Sequence, residues 1–214
     1  MSIHEPLAAP SEESPQSGIS TYRFTVEQYH QMAAAGILEE DERVQLLEGE
    51  IVCMTPIGPL HRYAVVAAGE ALSKLLPAEW KLMIQQPITL AESEPEPDLC
   101  IVRSESARYL DRHPGPADVC LVIEVADSSL PLDRNRKQTI YAAAGIPEYW
   151  IVNLDERSVE VYREPGVPIE RGRAAYSARQ TFGAGAAVPL RIGERECGSV
   201  AVAELAPKIA EGRL

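Results

Sequence analysis

The sequence predicts a mixed α/β fold, and three observations carry that prediction. Two near-continuous apolar runs, at 99–102 and 119–125, read as strands buried on both faces. Segments with a helical apolar period, at about 25–33, 60–76 and 133–144, are interleaved with them. Two more strand-like runs, 148–154 and 158–162, are joined by Asp155-Glu156-Arg157, a short hairpin connection.

Taken in order, residues 1–20 are rich in Ser, Pro and Glu with few large apolar groups, which predicts a disordered tail before one domain spanning 21–214. Thr25 with Gln28 resembles a capping box that opens the first helix, and Gly36 stops it. The segment 44–54 reads as a hairpin turning at Glu48-Gly49, after which Pro56 and Pro59 break the strand. The helix at about 60–76 offers Ala64, Ala67, Ala68, Ala71, Leu72 and Leu75 as an apolar face, small enough to pack closely on a sheet. A strand follows over 80–90, where Pro87 suggests an edge or a bulge. Glu94-Pro95-Glu96-Pro97 cannot continue a helix and delivers the chain, extended, into the 98–102 run. Gly145 supplies the left-handed cap that ends the 133–144 helix. Residues 164–187, rich in Gly, Ala, Pro and Arg, read as an irregular excursion, and 187–192 as an added edge strand. There is no internal repeat.

Composition narrows the function classes. No apolar stretch approaches the roughly 20 residues that span a bilayer, and the N-terminus lacks a basic-then-apolar signal, so no membrane association and a cytoplasmic location are expected. Cys53, Cys100, Cys120 and Cys197 lack zinc-site spacing and read as reduced core thiols. The net charge of −12 argues against a broad surface for nucleic acid, although Arg134, Arg136 and Lys137 cluster, and Arg103, Arg108 and Arg112 follow the 98–102 run. No nucleophile elbow with a partnered histidine is present, which excludes a serine hydrolase.

The chemistry concentrates at Asp98, Glu124 and Lys137. Glu124 lies near the end of a strand buried on both faces, where a lone carboxylate must be protonated, paired or metal-bound. Asp98 opens the neighbouring strand, so the two acids together favour a divalent metal. Positions 133, 137 and 141 share one helix face, which can point the Lys137 ammonium at the carboxylates with Tyr141 beside it. The same Asp133–Lys137 spacing also describes an ordinary surface pair worth about 0.3–0.5 kcal/mol.

The runs Glu96-Pro97-Asp98-Leu99 and Val122-Ile123-Glu124-Val125-Ala126-Asp127-Ser128-Ser129, then Asp133 with Lys137 and Tyr141, then 145–152, resemble the bacterial Uma-two family over about residues 21–205. That resemblance implies a restriction-endonuclease-like core of the PD-(D/E)XK nuclease superfamily, a central mixed β-sheet flanked by helices, and Mg²⁺-dependent hydrolysis of phosphodiester bonds, with Mn²⁺ as a substitute. Asp98 fills the first acidic place and Glu124 the second. Ala126 stands where the superfamily carries its lysine, and the resemblance assigns that role to Lys137 on the following helix. Gln45 stands where many members carry Glu, and Glu48 or Glu50 is a candidate to compensate.

The implied mechanism gives the metal to Asp98, Glu124 and the main-chain carbonyl of Val125, with Lys137 assisting the attacking water. Gln86 is a candidate to hold that water or a phosphate. His61 is placed at the mouth of the site or, equally, at a solvated helix start. Asp127, Ser128 and Ser129 read as a turn rather than as catalysts. The partner implied is nucleic acid, DNA in particular, with a homodimer pairing through an aromatic strand around Tyr149, Trp150 and Tyr162 set against burial of those rings in the core. Two alternatives remain beside the endonuclease: an inactive nuclease-fold interaction module, and a metal-dependent hydrolase of another phosphoester.

Overall fold

Strand β5 (Val119–Ala126), buried along its whole length, is the axis of a six-stranded sheet ordered β3-β4-β5-β6-β7-β8. The computed structural model describes residues 21–39, 42–105, 109–166 and 173–208, so the tail expected at 1–20 and Arg108 lie outside the described residues. β3 (Trp80–Ile84), β4 (Leu99–Arg103) and β5 pair antiparallel in turn, as do β6 (Glu148–Asn153), β7 (Ser158–Gly166) and β8 (Ala175–Phe182) among themselves. The β5–β6 pair alone in this sheet is parallel, and its connection carries α3 (Leu130–Leu132), a π turn (Asp133–Lys137) and α4 (Gln138–Ala143). A parallel pair needs a crossover of this kind.

The two-residue period sorts the sheet into two apolar layers. Leu99, Ile101, Leu121, Ile123, Val125 and Trp150 pack against α2 (Pro59–Ser73) and the C-terminal elements. Cys100, Val102, Val122, Tyr149 and Ile151 pack against Ile140 and Tyr141 of α4. Gly69 lets α2 lie close to the sheet, since a Cβ there would stand 3.1 Å from the Ile84 side chain. Thr25 caps α1 (Val26–Ala34) through the expected capping box. The hairpin β1 (Val44–Leu47)–β2 (Glu50–Cys53) turns at Glu48 and Gly49, both at positive φ. A side chain at Gly49 would also strike Arg23 at 2.7 Å.

Several expectations are corrected. Much of the stretch expected to be irregular over 164–187 is strand: β7 extends to Gly166 and β8 occupies Ala175–Phe182. The run 187–192 forms β9 (Ala187–Ile192), yet it pairs with β10 (Arg195–Ala201) in a separate hairpin rather than adding an edge to the main sheet. α5 (Val202–Leu205) follows β10 and seats Leu205 in the core. The strand read over 80–90 stops at Ile84, because Gln85 takes a φ of 49° and turns the chain. Tyr149, Trp150 and Tyr162 are buried, which bears out the core alternative for those rings. Of the cysteines, Cys100 and Cys120 are core thiols, whereas Cys53 is exposed and Cys197 half-buried.

Candidate active site

Asp98 and Glu124 are brought together by strand register. Leu99 pairs with Ile123 and Cys100 with Val122, which sets Asp98, one residue before β4, opposite Glu124. Directly opposed residues lie side by side, but Asp98, just outside the strand, does not keep the face that Glu124 takes. Asp98 curls over the sheet end, where its Oδ2 accepts the Val125 N–H at 2.8 Å and lies 3.1 Å from Nε2 of His61 on α2. In a strand the N–H and C=O of one residue leave on the same edge. The Val125 carbonyl therefore emerges on the Asp98 side.

Glu124 faces the opposite layer, where the chain that crosses from β5 to β6 returns over it. The Lys137 Nζ stands 2.9 Å from Glu124 Oε1, and the Tyr141 hydroxyl donates to that same oxygen at 2.7 Å. Lys137 is also 3.7 Å from Asp133 Oδ1, and Ser129 Oγ donates to Asp133 Oδ2. With Asp133 and Lys137 both buried, this is not the solvated helix pair that the spacing also allowed. The π turn is held from below, for the Asp133 carbonyl accepts both the Gln138 N–H and the Tyr149 hydroxyl. Wide turns of this type recur at functional sites.

The electrostatics leave the site short of positive charge. Burial pushes the Glu124 carboxyl up to about 8; Lys137 opposes that rise, and the charges of Asp133 and Asp98 add to it. Burial likewise raises Asp133 against the pull of Lys137. Desolvation works against the Lys137 ammonium, but Glu124 and Asp133 outweigh it and hold it above its ordinary value. Burial lowers His61, and the hydrogen bond and charge of Asp98 more than reverse that. One ammonium thus faces the carboxyl groups of Glu124, Asp133 and Asp98.

The cleft above these residues is lined by Gln45, Glu96, Asp98, Glu124, Lys137 and His61, among others. His61 therefore lines the cleft rather than a solvated helix start. Gln45 reaches the cleft, with its Oε1 accepting the Glu96 N–H at 3.3 Å. Three expected auxiliaries are elsewhere. Gln86 is exposed and bonded to the Gln85 carbonyl, turned away by the left-handed Gln85. Glu48 and Glu50 are both held by Arg136, at 3.0 and 2.8 Å, so neither replaces the charge that Gln45 lacks. The sequence reading passed over Arg43, on the cleft wall, and took Asp127, Ser128 and Ser129 for a turn alone, although these three line the cleft as well. Their signal was position, directly after the strand that carries Glu124.

A hard divalent cation suits this donor set. Among the described residues no three His, Cys, Asp or Glu side chains are gathered as a metal cage. Two carboxylates, a main-chain oxygen and water are nonetheless a usual way to hold Mg²⁺. The charge deficit around Glu124 favours a cation there, and Nδ1 of His61 is buried without a hydrogen-bond partner.

The family model described as "Uma2: Putative restriction endonuclease" matches residues 26–191. A solved structure described as "a putative nuclease belonging to DUF820 from Anabaena variabilis ATCC 29413" superposes with a TM-score of 0.61 at 17% identity, covering 85% of this chain and 97% of that one. At that identity the likeness is one of fold. No curated protein matches the chain.

Proposed function

The chain belongs to the Uma2 family, whose description is "Putative restriction endonuclease", and from that premise we propose that its cleft hydrolyses phosphodiester bonds of DNA with the help of a bound divalent cation. The observation that carries this reading is the meeting, at one sheet end, of Asp98, Glu124 and a lysine delivered from the following helix, with Lys137 Nζ 2.9 Å from Glu124. Asp98, Glu124 and the Val125 carbonyl would hold Mg²⁺ or Mn²⁺. When bound, such a cation polarises the phosphoryl oxygen and lowers the pKa of water.

The remaining work falls to the protein's own groups. Lys137 positions the attacking water and offsets the negative charge that gathers on the phosphate as the new P–O bond forms and the ester P–O bond breaks. Tyr141 and Asp133 fix that lysine and its carboxylate partner in place. His61 orients Asp98 from the other layer, as outer partners of metal carboxylates do. The absence of a lysine at position 126 is no obstacle, since the location of the ammonium matters and a four-carbon stem reaches across from the helix.

Titrating Mg²⁺ and Mn²⁺ into wild type and Asp98→Ala, while following the cutting of supercoiled plasmid and single-stranded DNA on the same samples, tests this reading. Metal binding and cleavage that both disappear in the variant are expected. Metal binding without cleavage of any DNA would point to another phosphoester, and no metal binding at all would overturn the assignment.

A further inference from the structure

The first exposed turn of α2 carries a feature that the cleft chemistry does not use. His61 points inward to Asp98, but the next two residues, Arg62 and Tyr63, point outward, and Tyr63 is 63% exposed. With Ile57, Pro59 and Val66 they line a shallow groove, and Ile57 also lines the cleft, so the two depressions adjoin at that residue. Among the described residues Tyr63 stacks on no other ring, and the Arg62 side chain makes no ion pair or hydrogen bond.

Several other arginines lack that freedom. Arg112, Arg134, Arg136, Arg163 and Arg179 are each committed to a carboxylate. Arg43, exposed on the cleft wall, is like Arg62 in having no such partner among the described residues. A chain with net charge −12 is poorly made for gripping a duplex, where affinity depends on many phosphate contacts. A single strand asks for less charge and offers its base faces. Aromatic stacking contributes about 1–3 kcal/mol per base and tolerates any sequence.

We infer that Tyr63 and Arg62 form a subsite for one unpaired base and its phosphate beside the cleft, so that the substrate is single-stranded DNA or a locally unpaired stretch of it. This rests on the nuclease reading of the cleft and adds the form of nucleic acid it takes. Tyr63 supplies the stacking face, Arg62 the phosphate contact, and Ile57 the floor that leads the backbone toward Asp98 and Glu124.

The test measures fluorescence anisotropy of one labelled oligonucleotide, as a single strand and as a blunt duplex, with cleavage of both in Mg²⁺, on the full chain. The single strand is expected to bind more tightly than the duplex. Tyr63→Ala should weaken single-strand binding by about fivefold to a hundredfold, and Tyr63→Phe should restore it because the aromatic face remains. With Arg62 and Arg43 as the cations beside the cleft, the slope of log affinity against log salt should be shallow, about −1 to −2, and Arg62→Ala should reduce it by about 0.7. Equal affinity for both forms, with Tyr63→Ala indistinguishable from wild type, overturns this inference and leaves the cleft chemistry standing. Failure of wild type to bind or cut either form overturns the nuclease reading and this inference with it.

Discussion

Two buried glutamates on strands of one sheet, Glu124 on β5 and Glu160 on β7, meet opposite surroundings. Glu160 is 1% exposed, yet Arg134 donates to it through Nε at 2.9 Å, Arg179 stands 2.9 Å away, and Tyr162 donates a hydroxyl hydrogen bond. Burial alone would raise its carboxyl, but those partners outweigh burial and its pKa falls below the ordinary value. Glu124 has one lysine and one tyrosine, and it shares that lysine with Asp133 and Asp98. Its pKa rises to about 8. A buried carboxylate with surplus positive charge is a structural ion pair, whereas one with a deficit has room for a cation. The π turn serves both, sending Arg134 to the first and Lys137 to the second.

The sharpest way to break this comparison is to remove each cation. Lys137→Ala should lower cleavage by about 10²–10⁴-fold, the range for losing a positioned proton-handling or charge-stabilising group. It also leaves Glu124 and Asp133 without an ammonium, so melting temperature should be followed beside plasmid nicking. Lys137→Arg keeps the charge and separates the two effects. Nicking that survives Lys137→Ala would move the assignment away from Lys137.

Removing the anions should separate the regions by stability. Glu160→Ala strands Arg134 and Arg179, and breaking a buried pair costs about 3–5 kcal/mol. Both arginines are partly exposed and can turn to water, so about 2–3 kcal/mol is expected by urea unfolding, with cleavage of the folded protein unchanged. Glu124→Gln should cost less than Glu160→Ala, because it removes a carboxyl that burial and neighbouring acids already disfavour, while abolishing metal binding. Equal destabilisation at the two sites would show that the charge deficit at Glu124 has no functional meaning.

The Glu124 side of this contrast was legible in the sequence, and the parts that were not have physical reasons. Asp98, Glu124 and Lys137 stood out because proline fixed where one strand starts, a fully apolar run fixed the other, and the spacing of 133, 137 and 141 fixed a helix face. Strand β8 was hidden because only Tyr176 in it is buried, leaving no apolar run to read. Glu48 and Glu50 looked available until Arg136, some 88 residues away from Glu48, proved to hold them both. Gln86 failed on a single backbone angle at Gln85. Long-range partners and one left-handed residue are what local pattern cannot supply.

Opposite pKa shifts predict opposite pH dependence. Glu124 is raised in the fold, so without metal its contribution to stability is present below about 4.5 and lost as pH rises toward about 8. Glu160 is lowered, so its contribution is present above its ordinary value and lost as pH falls. Each group alone changes stability by at most about 1.4 kcal/mol per pH unit. Melting temperature against pH should therefore flatten on the acid side in Glu160→Gln and on the neutral-to-alkaline side in Glu124→Gln. Added Mg²⁺ should stabilise wild type increasingly as pH approaches 8, since the cation displaces a proton from Glu124.

The smallest expected effect is the most discriminating, because both glutamates carry the same tyrosine bond. Tyr141 donates to Glu124 at 2.7 Å and Tyr162 donates to Glu160 at 2.5 Å. Tyr141→Phe removes a donor that holds the Glu124 carboxyl down, so that carboxyl should rise further. One hydrogen bond contributes about 1 kcal/mol net, and a full pKa unit corresponds to about 1.4 kcal/mol. The pH midpoint of Mg²⁺ binding, read by calorimetry, should thus move upward by somewhat less than one unit. Tyr162→Phe should leave it unmoved, because Arg134 and Arg179 still neutralise Glu160 and no cation is taken there. A midpoint that ignores Tyr141→Phe would mean that metal binding is not coupled to Glu124, and the carboxylate that receives the cation would have to be Asp98 alone.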